Sequence, residues 1–205
     1  TPFVRVAGFP VLPVVVEAIG PVGAHKAADL AQRVLAVADR ADLVRLEPQR
    51  HLADALDMIR KLGQVCARTS RANNLADRIQ AAFRQIPPAD AEPPRVLYLI
   101  WRKPYMAVAK NTFIDAMLTQ AGYRNALSGD TRYPALTVEE LQAARPDCLF
   151  LSSEPYPFQE KHLAELQDLC PDASIHLVDG ELFSWYGSRL LQAPAYFRQL
   201  RKATV

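Results

Sequence analysis

The residues best suited to chemistry in this chain fall in three short stretches. They are Trp101–Met106 (WRKPYM), Ser152–Phe158 (SSEPYPF) and Asp179–Arg189 (DGELFSWYGSR). Both tryptophans are there, with Tyr105, Tyr156, Phe158, Phe183 and Tyr186. Aromatic rings give large, rigid and partly polar contact area at low entropic cost, which suits a flat organic ligand. The plainer alternative is that the rings close the end of a hydrophobic core. Among the charged neighbours, Glu154 and Glu181 can hold a cationic or amide group. Arg102, Lys103 and Arg189 can hold an anion, and arginine suits bidentate recognition of carboxylates. Each of these five is equally suited to a surface ion pair. The ligand-facing set read from these stretches is Trp101, Arg102, Tyr105, Glu154, Tyr156, Phe183, Trp185 and Arg189.

Other chemistries find little support. His25, His51, His162 and His176 have no metal-ligand spacing, and neither do Cys66, Cys148 and Cys170. The cysteines read as small buried apolar residues. No GxSxG, HExxH or P-loop is present. His176, Asp179 and Ser184 make a triad on paper only, since nothing fixes their geometry. We therefore expect no catalytic residue, no metal site and no cofactor. A net charge of +2, with no long basic run, gives no footprint for nucleic acid. No stretch of 18 apolar residues suggests a membrane span. No secretory signal is visible, which in a sequence opening on Thr1 decides nothing about compartment.

The elements that must position the three stretches are legible after residue 94. Arg95–Ile100, Asp147–Leu151 and Ser174–Val178 are short apolar runs suited to buried parallel strands. Each chemical stretch follows one of them. Between them lie predicted helices at Thr112–Ala121, after Thr137, at Phe158–Leu169 and at Ser188–Arg201. Thr137 and Glu140 have capping-box spacing, in which each side chain satisfies a backbone donor at the helix start. Strand–helix alternation implies a parallel sheet covered on both faces, with ligands at the carboxyl ends of the strands.

Before residue 94 the pattern is thinner. Val11–Val16 and Asp42–Leu46 are the candidate strands, and Ala27–Val37, Leu52–Leu62 and Asn74–Gln85 the candidate helices. Prolines 87, 88, 93 and 94 stiffen the chain and mark a boundary. The expected organisation is a reduced α/β lobe over 1–72, a joining helix and proline-rich boundary over 73–94, and a Rossmann-like α/β lobe over 95–205. A βαβ unit takes about 30 residues, so the first part holds little more than two.

The ordered segments RVLYLIWRKPYM, NTFIDAMLTQAGYRNAL, YPALTVEELQAARPDCLFLSSEPYPF and LVDGELFSWYGSRLL resemble the C-terminal lobe of the periplasmic binding proteins with a helical backbone. That family includes cobalamin-binding and ferric-siderophore-binding proteins of ABC importers. LADALDMIRKLGQVC with Asn74–Gln85 resembles the end of its N-terminal lobe and the joining helix. The resemblance implies two α/β lobes joined by a long helix, with ligand between them and a periplasmic location. An intact N-terminal lobe of the family is longer than what precedes residue 70. The resemblance also places Glu139 on the surface where an exposed acid meets permease arginines; Glu140 is taken by the capping box. The leading expectation is thus a non-enzymatic component that captures a metal chelate (corrinoid, ferric siderophore or haem) and presents it to an ABC permease. The alternatives are a chelatase-like enzyme acting on a tetrapyrrole, which needs a general base near the metal entry point, and a remnant that binds nothing.

Overall fold

The computed structural model describes residues 50–129 and 132–204. The candidate elements at Val11–Val16, Ala27–Val37 and Asp42–Leu46 lie outside the described residues. So does most of the expected reduced lobe.

Among the described residues two helices come first, α1 (Leu52–Val65) and α2 (Thr69–Phe83). β1 (Arg95–Trp101) then turns back into β2 (Tyr105–Ala107). α3 (Phe113–Gln120), β3 (Arg124–Asn125), β4 (Ala135–Leu136) and α4 (Val138–Ala143) lead to β5 (Cys148–Ser152). A 3₁₀ turn at Glu160–His162 opens α5 (Leu163–Leu169), which leads to β6 (Ser174–Val178). The chain finishes with α6 (Gly180–Ser184), a 3₁₀ turn at Ser188–Leu191 and α7 (Ala193–Thr204).

Among the described residues one six-stranded sheet runs in the order β4-β2-β1-β5-β6, with β3 beside β1. β1, β5 and β6 are parallel: Val96 faces Cys148, which faces Ser174, and Leu99 faces Leu151, which faces Leu177. The three apolar runs are therefore the parallel centre expected of them. The far edge of β1 is shared between β3, parallel at its amino end, and β2, antiparallel at its carboxyl end.

Successive strand residues point to opposite faces, and the core divides accordingly. Val96, Tyr98, Cys148 and Phe150 join one cluster with α1, α2, α3 and α7. Leu97, Leu99, Leu149 and Leu151 join the other with Leu141 of α4 and Leu166 of α5. The result is three layers with the sheet in the middle. No helix among the described residues is long and apolar enough to cross a membrane.

The helix starts follow their caps. The Thr112 side chain accepts from the Asp115 N–H at 3.1 Å. Thr137 and Glu140 form the expected capping box: the Thr137 side chain accepts from Glu140 N–H at 3.2 Å, and Glu140 accepts from Thr137 N–H at 2.8 Å. Two expectations need correction. The helix from Leu52 does not stop before Gly63 but runs through it to Val65. Gly63 is there because α1 and α2 touch: a methyl on it would overlap Cβ of Ala72. The helix expected at Asn74–Gln85 is α2, 15 residues and about 22 Å long. It starts at Thr69 and ends at Phe83, and its Ala76, Ile79 and Phe83 are buried in the same cluster as the sheet.

Gly63 sets two effects against each other. Alanine inside a helix is better than glycine by about 1 kcal/mol. Overpacking a closed contact costs about 1–3 kcal/mol. The contact wins because its neighbour is another helix's Cβ and not the end of a flexible side chain. Gly63→Ala is expected to lower the urea midpoint, and adding Ala72→Gly to restore it.

Candidate functional site

The parallel centre brings the segments after β1, β5 and β6 to one rim of the sheet, and hydrogen bonds join them. Tyr156 N–H donates to the Ile100 carbonyl at 3.3 Å, and Ser153 N–H to the Val178 carbonyl at 3.0 Å. Gly180 N–H donates to Ser153 Oγ at 2.9 Å. Below them the buried Tyr98 hydroxyl donates to Ser152 Oγ at 3.2 Å, and Ser152 Oγ donates to the Glu154 carbonyl. Burial pushes the Tyr98 phenol far above its ordinary value.

On this rim Trp101 is 40% exposed. Its indole meets the half-buried Tyr156 edge to face at 5.7 Å between centroids. Tyr156 continues into Phe158 at 4.8 Å and His162 at 5.5 Å. His162 is buried. Its Nδ1 accepts from Gln159 N–H at 3.0 Å, so in the neutral ring the proton sits on Nε2, 3.2 Å from the Tyr156 hydroxyl. Trp185, partly exposed, donates from Nε1 to Glu154 Oε1 at 2.9 Å, and Ser184 Oγ donates to the same oxygen at 2.6 Å. Trp101 and Tyr156 thus make one pair on the rim and Glu154 and Trp185 a second, and the segment after β5 carries a member of each.

Two members of the sequence-derived set are elsewhere. Phe183 is fully buried and packs at 4.7 Å from Phe197 and 5.3 Å from Tyr98. The stretch expected to be a loop begins as α6, capped by Asp179, which accepts from Glu181 N–H at 3.0 Å. That turn of helix drives Phe183 into the core, so its expected ligand-facing role is corrected. Tyr105 is on a strand and not in a loop. It is buried with Leu97 and Leu149, and its hydroxyl donates to Glu165 on α5. It too belongs to the core.

The arginines are engaged. Arg102 bonds to the other oxygen of Glu165 at 2.5 Å. The Arg102 bond, then that of Tyr105, holds the Glu165 carboxyl below its ordinary range. Arg189 pairs with Glu181 and, at 3.4 Å, with Asp179. Glu165, Glu181 and Asp179 are the partners that sequence reading did not assign. Glu165 is 63 residues from Arg102, so no local spacing marks it.

Glu139 is exposed on the first turn of α4. Leu136, just before that helix, pairs with Tyr105 beside the rim, which puts Glu139 toward the carboxyl ends of the strands. Its carboxyl lies below the usual range, mainly through a bond to its own backbone N–H and then through Thr137. Among the described residues no three His, Cys, Asp or Glu gather where a metal ion could sit.

With this geometry in view, the comparisons with known proteins identify the class. A family model described as "Periplasmic binding protein" matches residues 31–169. The chain belongs to that family. Among solved structures it is similar to the periplasmic heme-binding protein BhuT in complex with two hemes. The identity is 28% and the TM-score 0.63, over 77% of this chain and 65% of that one. Periplasmic heme-binding protein RhuT from Roseiflexus sp. RS-1 matches at 23% identity and TM-score 0.63, over 76% of this chain and 65% of that one. Periplasmic vitamin B12 binding protein BtuF of Vibrio cholerae matches at 18% and 0.62, over 78% and 64%. The likeness to the last two shows the fold alone. The aligned region spans 65% of the BhuT chain and 64% of the BtuF chain. A search of curated proteins gave no match.

Two outcomes follow from these placements. Phe183→Ala should cost about 3–5 kcal/mol of unfolding free energy, the usual penalty for emptying a core aromatic site. Burial first, and then the bond to Glu165, push the Tyr105 phenol up to about 12. The ordinary phenol titrates near pH 10, so above that the unfolded chain releases a proton that the folded chain keeps. Stability is full below about pH 10 and falls as pH rises toward 12. Tyr105→Phe should make the loss between those values less steep in urea melts; an unchanged slope would contradict the placement.

Proposed function

We propose that the chain is the substrate-binding component of an ABC importer, working outside the cytoplasm and capturing a metal chelate at the rim formed by Trp101, Tyr156 and Trp185. The observation that carries this reading is the joining of three strand-end segments along one rim, each carrying a partly exposed aromatic ring. Rings held at strand ends offer flat apolar area with polar edges, the kind of surface that binds a planar macrocycle. Membership of the periplasmic binding proteins supports it, as does the likeness to a protein that carries two hemes.

The charge pattern favours one chelate over another. Arg102 and Arg189 are held by carboxylates of this chain. An anionic ligand would meet guanidinium charge already paired to Glu165, Glu181 and Asp179, although among the described residues Arg102 Nε and Arg189 Nε have no hydrogen-bond partner. We therefore rank haem or a corrinoid, bound mostly through the ring face, ahead of a polyanionic ferric siderophore. Glu154 serves this rim through Trp185, Arg102 and Arg189 brace the loops, and Glu139 docks the loaded protein on basic permease residues.

Titration with haemin and with cyanocobalamin tests the site. Trp101→Ala and Trp185→Ala should each weaken the tighter of the two by about 1–3 kcal/mol. Unchanged affinity in both variants would remove the proposed wall. Glu139→Arg should leave ligand affinity intact and slow uptake by a reconstituted importer, with the wild-type rate falling as salt rises. Uptake at the wild-type rate by Glu139→Arg would contradict the docking role.

A further inference from the structure

We infer that Glu154 is a positioning residue that fixes the indole of Trp185 as a rigid wall of the rim. This rests on the reading of Trp101, Tyr156 and Trp185 as the ligand-facing surface. Glu154 and Trp185 are 31 residues apart and come from the segments after different strands. A bond between them therefore sets the two segments relative to each other as well as the ring. One carboxylate oxygen accepts from the indole N–H at 2.9 Å and from Ser184 Oγ at 2.6 Å. Bonds to an ionised acceptor are about twice as strong as neutral ones, and these aim the ring as well as hold it.

The backbone around Glu154 is itself held in place. Its carbonyl accepts from Ser152 Oγ at 2.5 Å and its N–H donates to the same oxygen at 3.3 Å. Ser152 Oγ is held in turn by Tyr98. The Glu154 side chain leaves this turn over Gly180, where any Cβ would collide with Cγ of Glu154 and with Ser152 Oγ. Gly180 thus opens the space through which the carboxylate reaches Ser184 and Trp185. A tryptophan on a surface segment otherwise samples several rotamers, and a ligand would have to order it. An ordered indole removes that cost.

The first arm of the test needs no ligand. In a Trp101→Phe background Trp185 is the one remaining tryptophan. Glu154→Ala should raise acrylamide quenching of Trp185 at least twofold and lower its fluorescence anisotropy. Glu154→Gln keeps an acceptor oxygen and should lie between Ala and the parent. Circular dichroism checks folding, and if the Ala variant fails to fold the Gln variant carries the test. Quenching and anisotropy that match the parent in a folded variant would overturn the inference.

The second arm uses haemin and cyanocobalamin with Trp101 intact. If Glu154 acts through Trp185, the affinity lost in Glu154→Ala disappears when Trp185 is already Ala. Losses that add would show Glu154 touching the ligand directly and would overturn the positioning role. If Trp185 responds in the first arm while wild type binds neither probe, the ligand-wall reading fails and the anchor stands.

Discussion

Everything at the rim depends on the parallel pairing of β1, β5 and β6. Parallel neighbours cannot be joined by a hairpin, so the chain must return across a face each time. α3 returns on one face, with Met117 and Leu118 in the cluster of Tyr98 and Phe150. α4 and α5 return on the other, with Leu141 and Leu166 beside Leu149 and Leu151. Because the three strands point the same way, the segments leaving them share one edge. Tyr156 reaching back to Ile100, and Ser153 to Val178, are consequences of that shared edge.

This part of the fold was legible in the sequence because it is local. Arg95–Ile100, Asp147–Leu151 and Ser174–Val178 announce themselves as apolar runs, and Thr112 and the Thr137–Glu140 pair announce helix starts by spacing alone. What was not legible depends on partners distant in sequence. β2 is three residues long and borrows its identity from β1 on one side and β4 on the other. Phe183 reads like any surface aromatic until Tyr98, Phe150 and Phe197 close around it. Gly63 looks like a helix stop until Ala72 is seen against it.

The charged residues show the same division. Sequence reading gave Arg102 and Arg189 as suited equally to an anionic ligand or to an ion pair, and their pairing to Glu165, Glu181 and Asp179 shows the second. These are partly exposed pairs, worth little in stability. Their effect is on where charge is offered: both guanidinium groups are paired to the protein's own carboxylates, while Trp101 stays 40% exposed on the rim. Glu154 follows the same economy, since its partners Ser184 and Trp185 lie on the neighbouring segment.

The central claim is that this rim captures a planar metal chelate without transforming it. Absorbance titration of the chain with haemin and with cyanocobalamin, followed by recovery and mass analysis of the released ligand, tests it most directly. The account predicts saturable binding of at least one of them, with the Trp101 and Trp185 emission quenched on the same curve and the ligand recovered unchanged. Absence of saturation for both, or recovery of a ligand whose metal has been inserted or removed, would contradict it.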